Sequence, residues 1–156
     1  MNLIKTKIED CYLIRLDKFK DDRGFFSRAF CKKIFAKKKI LNSIKQINFS
    51  FSKKKGTVRG LHLQKKPFQE MKIIYCTKGE IYDVVVDLRK KSKSFGKYFS
   101  IIISDKSDFS FYIPEGFAHG FLCISKKCTV NYKCSEYRNQ KTETTLQWND
   151  ESVAIK

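Results

Sequence analysis

The sequence is short of acidic residues, proline, histidine and long apolar runs, and each shortage excludes something. No apolar stretch approaches the roughly 20 residues that a membrane-crossing helix needs. The opening Met1-Asn2-Leu3-Ile4-Lys5 has no cationic region followed by an apolar one. An export signal is therefore not expected, and a cytoplasmic location away from membranes is. With only two prolines and seven glycines there is no Pro/Gly/Ser-rich linker, and neither a composition break nor an internal repeat divides the chain. A single domain over residues 1–156 is expected. The six cysteines form no Cys-x-x-Cys pair, and no histidine stands at zinc-finger spacing from them. Small, buried, reduced side chains are their expected role.

Acids are outnumbered, 16 Asp and Glu against 33 Lys and Arg, for a formal charge of +17. Such a balance raises the question of nucleic acid. The excess is nearly all lysine, in runs such as Lys37-Lys38-Lys39, Lys53-Lys54-Lys55 and Lys65-Lys66, whereas there are only six arginines. Specific readers of nucleic acid lean on the bidentate guanidinium fork. A solvated lysine surface, with no specific nucleic-acid partner, is expected.

What the chain does hold is enough apolar material, 42% of residues with 14% aromatic, to build a core at 156 residues. Short apolar or alternating segments are expected to be strands at 71–76, 81–88, 98–103, 109–113, 120–124 and 129–134, and at 44–51 and 58–63 in the first half. In 81–88, Tyr82, Val84, Val86 and Leu88 share one face while Asp83, Val85 and Asp87 share the other, a period of two. Turn chemistry such as Lys78-Gly79 and Pro114-Glu115-Gly116 separates the segments. Phe30, Ile34 and Phe35 predict one short surface helix over 29–39. The pattern is that of an all-β sandwich or barrel with a minor helix.

The two histidines are His62, in Arg59-Gly60-Leu61-His62-Leu63-Gln64, and His119, in Pro114-Glu115-Gly116-Phe117-Ala118-His119-Gly120-Phe121. Both sit at strand ends among glycine and polar residues, where barrels place their sites. A transition-metal site needs more nitrogen ligands than one histidine per region, and Gln64 stands where a His-x-His pair would need its second imidazole. No metal or other cofactor is expected. Asp83 and Asp87 look like paired carboxylates, but alternation along one strand face is the favoured account of them.

Several of these runs resemble, in order, the dTDP-4-dehydrorhamnose 3,5-epimerase family. They are Asp22-Arg23-Gly24-Phe25-Phe26, Gln46-Ile47-Asn48-Phe49-Ser50, Val58 to Gln64, Lys72 in Gln69-Glu70-Met71-Lys72, and Gly79 to Arg89. Ile113 to Phe121, Tyr132 to Tyr137, Glu143 and Trp148-Asn149-Asp150 follow. The match spans essentially the whole chain. It implies a cupin-type double-stranded β-helix, that is a jelly-roll barrel, a homodimer, and a nucleotide-linked 4-keto-6-deoxy sugar as substrate, epimerised at C3, C5 or both.

Carried across by position, His62 matches the general base and Tyr132 the general acid, with Lys72 and His119 lining the sugar. Arg59 and Arg23 match contacts to the diphosphate, Gln46 and Asn48 polar substrate contacts, and Glu143 a nucleotide-side contact. Phe26 and Tyr137 match aromatic neighbours of the base, Phe26 from the partner subunit. On sequence alone Tyr132, Tyr137, Arg59 and Lys72 also admit plainer roles, as packed aromatics, an ion pair or a solvated residue. The chemistry suits the residue types: a neutral imidazole takes a proton beside a ketone near pH 7, and a cation offsets the enolate charge.

Two positions depart from the family. Arg28 stands where the family has a glutamate on the nucleotide, so a donor replaces an acceptor and a changed contact to the base is expected. The family's C-terminal tail, bearing a Lys and an Asp that orients the base, is expected to be lacking. Another group such as Asp83 is then expected to support His62, or one ring carbon to exchange faster than the other. Alternatives within and outside the enzyme class are a single-centre 3-epimerase, a keto-sugar isomerase, and a non-catalytic nucleotide-sugar-binding cupin.

Overall fold

The computed structural model describes residues 1–38, 40 and 43–156. Thirteen strands and one helix follow in chain order among these residues. They are β1 (Asn2–Lys5), β2 (Tyr12–Arg15), β3 (Lys18–Asp21), β4 (Gly24–Ser27), α1 (Lys32–Lys37), β5 (Gln46–Ser52), β6 (Val58–Gln64) and β7 (Lys72–Lys78). Then come β8 (Glu80–Asp87), β9 (Tyr98–Ser104), β10 (Phe109–Ile113), β11 (Phe117–Cys123), β12 (Cys128–Cys134) and β13 (Glu143–Thr145).

The strands make a six-stranded sheet in the order β1-β2-β10-β7-β12-β5 and a five-stranded sheet in the order β13-β6-β11-β8-β9. A separate hairpin joins β3 to β4. The all-β architecture with one helix is as expected, but the expected closed barrel is not formed. Neither sheet closes on itself: β1 and β5 end one, β13 and β9 the other. Closure needs hydrogen bonds between the end strands, and the layers here are joined instead by apolar side chains. Ile74, Phe111 and Val130 from the six-stranded sheet pack with Ile81, Val85, Ile103 and Phe121 from the five-stranded one.

The period of two in β8 carries through to packing. Ile81 and Val85 enter the core between the sheets, with Asp83 and Asp87 on the same buried face. Val84 and Val86 turn to the other face, under Leu146, Val153 and Ile155 of the C-terminal segment. Both faces are thus covered, which is why apolar residues stand on each of them.

Helix α1 is shorter than expected. Cys31 is extended at φ −147° and marks its start, so Phe30 lies outside the helix yet still packs on Phe35 at 5.1 Å. Phe35 then joins Ile14, Ile73 and Tyr75 on the outer face of the six-stranded sheet. Residue 39, the far end of the expected helix, lies outside the described residues. The four short strands β1–β4 were not expected; each has four residues, too few for a period to declare itself.

Where β6 crosses β11 the backbones nearly touch. A Cβ on Gly60 would meet Gly120 Cα at 2.6 Å, and one on Gly120 would meet the Arg59 carbonyl at 2.6 Å. This close approach, with a bulge between His119 and Phe121, brings the two histidine-bearing strands together, His119 opposite His62. All six cysteines are free, and all but Cys31 are buried. Burial pushes the Cys76 thiol up to about 11 and Cys134 up to about 12, which keeps them protonated. No helix among the described residues is long and apolar enough to cross a membrane.

Candidate active site

A cavity of about 520 Å³ opens between the two sheets. From the six-stranded sheet it takes Gln46 and Asn48 on β5, Lys72 on β7 and Tyr132 on β12. From the five-stranded sheet come Arg59 and His62 on β6, His119 on β11 and Glu143 on β13. These eight residues, far apart in the chain, are thereby brought into one site. Arg23, Phe26, Arg28 and Tyr137 are not among its lining residues.

His62 and Tyr132 enter from opposite sheets, so a molecule held between them has one on each side. The His62 side chain is half-buried, with Nδ1 3.3 Å from Thr145 Oγ1 and 3.6 Å from Glu143 Oε1. Burial holds its imidazole below the ordinary 6.5. Glu143 pulls it up, while Lys72, His119 and Arg138 push it further down. The ring is consequently neutral, a competent base, at neutral pH. Tyr132 is half-buried, and its phenol is raised by burial and by Cys134 and Glu70, against the smaller pull of Arg59 and Arg138. It keeps its proton at neutral pH and is a competent acid.

Lys72 is nearly buried, its Nζ 3.0 Å from Glu70 Oε1. His119 Nε2 lies 3.1 and 2.9 Å from the two oxygens of Asp83, which is fully buried. Burial pushes the Asp83 carboxyl up, and His119 and then Lys72 pull it back. Asp83 therefore supports His119, and the expectation that it supports His62 does not hold. β11 lies between β8 and β6 in the sheet and takes the contact first. Asp87 belongs to another network, with Arg89, Ser92 and Ser94, so the two carboxylates form no joint site.

Arg59 donates from Nε to Ser52 Oγ at 3.1 Å and from Nη2 to the Phe51 carbonyl at 2.9 Å, which fixes its fork at the cavity rim. Gln46 Oε1 accepts from the Arg138 backbone N–H at 2.6 Å. Gln64 is buried, and its amide donates to the Phe68 and Tyr137 carbonyls. It ties two loops beside the cavity and is structural where a second imidazole would have been a ligand. Tyr137 is exposed, with Lys45 Nζ 5.4 Å from its ring centroid. Arg23 is exposed and paired with Asp21 on the β3–β4 hairpin, where Phe26 also projects into solvent.

Glu70, Arg138 and Thr145 were not singled out in the sequence. Glu70 lies two residues before Lys72 in Gln69-Glu70-Met71-Lys72, and the charges of Glu70 and Arg138 offered a weak signal. Thr145 offered none; only its pairing opposite His62 reveals it.

Residues 5–156 match the sequence model of the dTDP-4-dehydrorhamnose 3,5-epimerase family. The chain belongs to that family. The dTDP-4-dehydrorhamnose 3,5-epimerase of Escherichia coli is 40% identical over 158 residues, covering 99% of this chain and 84% of the relative. The crystal structure of the Elizabethkingia anophelis epimerase superposes with a TM-score of 0.95 at 37% identity, covering 100% of this chain and 85% of that one. A Bacillus anthracis epimerase structure with TDP and PPi bound gives 0.94 at 39% identity, covering 99% of this chain and 88% of that one. This epimerase-family chain has the cupin-like arrangement of two facing sheets.

Proposed function

We propose that this chain is an isomerase that epimerises a dTDP-linked 4-keto-6-deoxy sugar at C3 and C5. The observation that carries the reading is the His62 imidazole and the Tyr132 phenol facing one cavity from opposite sheets, with the Lys72 side chain beside them. His62 takes the proton from a carbon next to the ketone, and the released electron pair forms the enolate double bond. Charge collects on the former ketone oxygen, where Lys72 offsets it. Tyr132 returns a proton to the same carbon from the other face, which inverts the centre. Solvent then resets the imidazolium and the phenolate. Gln46, Asn48 and His119 hold the sugar, and Arg59 grips the diphosphate.

In the same reading the protein is a homodimer. β5 ends its sheet with Ile47, Phe49 and Phe51 exposed, and the β3–β4 hairpin exposes Phe19, Phe25 and Phe26. Apolar patches of this kind favour an interface. Arg23, Phe26 and Arg28, which do not line the cavity of their own chain, then serve that of the partner, with Tyr137 near the nucleotide base. Free cysteines suit a reducing compartment such as the cytoplasm.

The test is proton NMR of the keto-sugar nucleotide in deuterium oxide. Wild type is expected to exchange the protons at C3 and C5. His62→Ala is expected to lose at least about 100-fold in exchange rate while still binding nucleotide. Exchange at the wild-type rate in that variant would remove His62 from the role of base.

A further inference from the structure

His62 has two ring nitrogens, and proton abstraction engages only one. Nδ1 faces Thr145 Oγ1 at 3.3 Å and Glu143 Oε1 at 3.6 Å. Nε2 has no hydrogen-bond partner among the described residues. The ladder between β13 and β6 sets this geometry: Thr145 lies opposite His62 and Glu143 opposite Gln64. Two residues apart on a strand, Glu143 and Thr145 share one face. Glu143 is itself clamped from its far side, its Oε2 accepting from Arg138 Nε at 2.9 Å and ion-paired with Nη2 at 2.8 Å, which leaves Oε1 toward the imidazole.

We propose that Thr145, backed by Glu143, is a positioning residue for His62. Its hydroxyl accepts a hydrogen bond from Nδ1–H and so keeps the lone pair on Nε2 for the sugar carbon. The inference rests on His62 being the base and adds what holds it. A ring nitrogen with a fixed acceptor has one tautomer and one ring orientation. The oxygen must be an acceptor here because a carboxylate on the same side favours Nδ1 in its protonated form. Glu143 contributes a second effect, a negative charge beside the imidazolium that forms on abstraction. Facing the same ring are Lys72 from β7, His119 from β11 and Arg138 from the loop before β13, all opposing that charge. Asp83 is occupied by His119.

The experiment combines imidazole nitrogen NMR with steady-state kinetics on Thr145→Val, Thr145→Ser and Glu143→Gln, with the His119 signals assigned through His119→Asn. Wild type is expected to show the Nδ1–H tautomer at His62. Thr145→Val is expected to mix the tautomers and lower kcat by about 10- to 100-fold, with KM little changed. Thr145→Ser, which keeps the hydroxyl, restores both. Glu143→Gln shifts the acid limb of the kcat profile to lower pH, because the imidazolium loses its counter-charge. A wild-type tautomer and kcat in Thr145→Val, or a Ser variant as impaired as Val, overturns the proposal. If the wild type exchanges no sugar proton, His62 is not the base. The tautomer still decides on Thr145, upheld if Val mixes it and overturned if not.

Discussion

In the proposed reaction Tyr132 and His62 divide the work of one proton transfer, and the division is testable at Tyr132 alone. Removing the phenol hydroxyl leaves the base, the cation and the cavity in place. Tyr132→Phe is therefore expected to keep deuterium exchange into the substrate while inverted product falls by about 100- to 10,000-fold. Product ratios and exchange rates from the same NMR time course read both quantities. Parallel loss of exchange and inversion would take Tyr132 off the proton-return path. Single side chains also explain what cannot happen here: Asp83, committed to His119, is not free to support His62.

At the scale of elements, β8 serves two ends of the molecule through one buried face. Near its middle Asp83 backs His119. At its end Asp87 accepts from Arg89, Ser92 and Ser94, and Arg89 reaches on to Asp10 at 2.7 Å, tying the N-terminal segment to the sheet. Burial alone would raise the Asp87 carboxyl. Arg89, then Ser92 and Ser94, outweigh it and bring the group from 3.8 to about 2. A folded-state value below the unfolded one stabilises the fold above the unfolded pKa, and the gain is lost as pH falls through the folded one. Asp87→Asn is thus expected to cost about 2 kcal/mol at neutral pH. It should also flatten the decline in stability between about pH 4 and about pH 2. Urea unfolding across that range checks it, and an unchanged pH profile would show that the network does not hold the fold.

Across the whole molecule three lysine runs that contribute to the charge of +17 lie in separate segments rather than together. Lys53, Lys54 and Lys55 are exposed between β5 and β6, Lys65 and Lys66 after β6, and Lys37 and Lys38 at the end of α1. Binding to DNA or RNA is expected to be weak and to vanish by about 200 mM salt, as sequence-independent phosphate contacts do. Fluorescence anisotropy against a salt series measures it. Tight binding that survives salt would assign the lysines a function of their own.

Alternation along residues 81–88 and 129–134 determined which side chains face the core, because a strand's period of two is local and survives in any sheet. The ordered motifs determined the family and eight of the cavity residues. His62 and Gln64, two apart on one strand, showed one imidazole where a His-x-His pair would need two. The short strands β1–β4 and the true start of α1 escaped, since four residues carry little period and Phe30 packs like a helical residue without being one. The open edges of the two sheets, the separation of Asp83 from Asp87, and the seating of Thr145 against His62 were decided by tertiary structure alone. Each depends on strand register between segments distant in the chain: His62 and Thr145 are 83 residues apart. A pattern local in sequence states which face a residue takes, and only the pairing of strands states what it meets there.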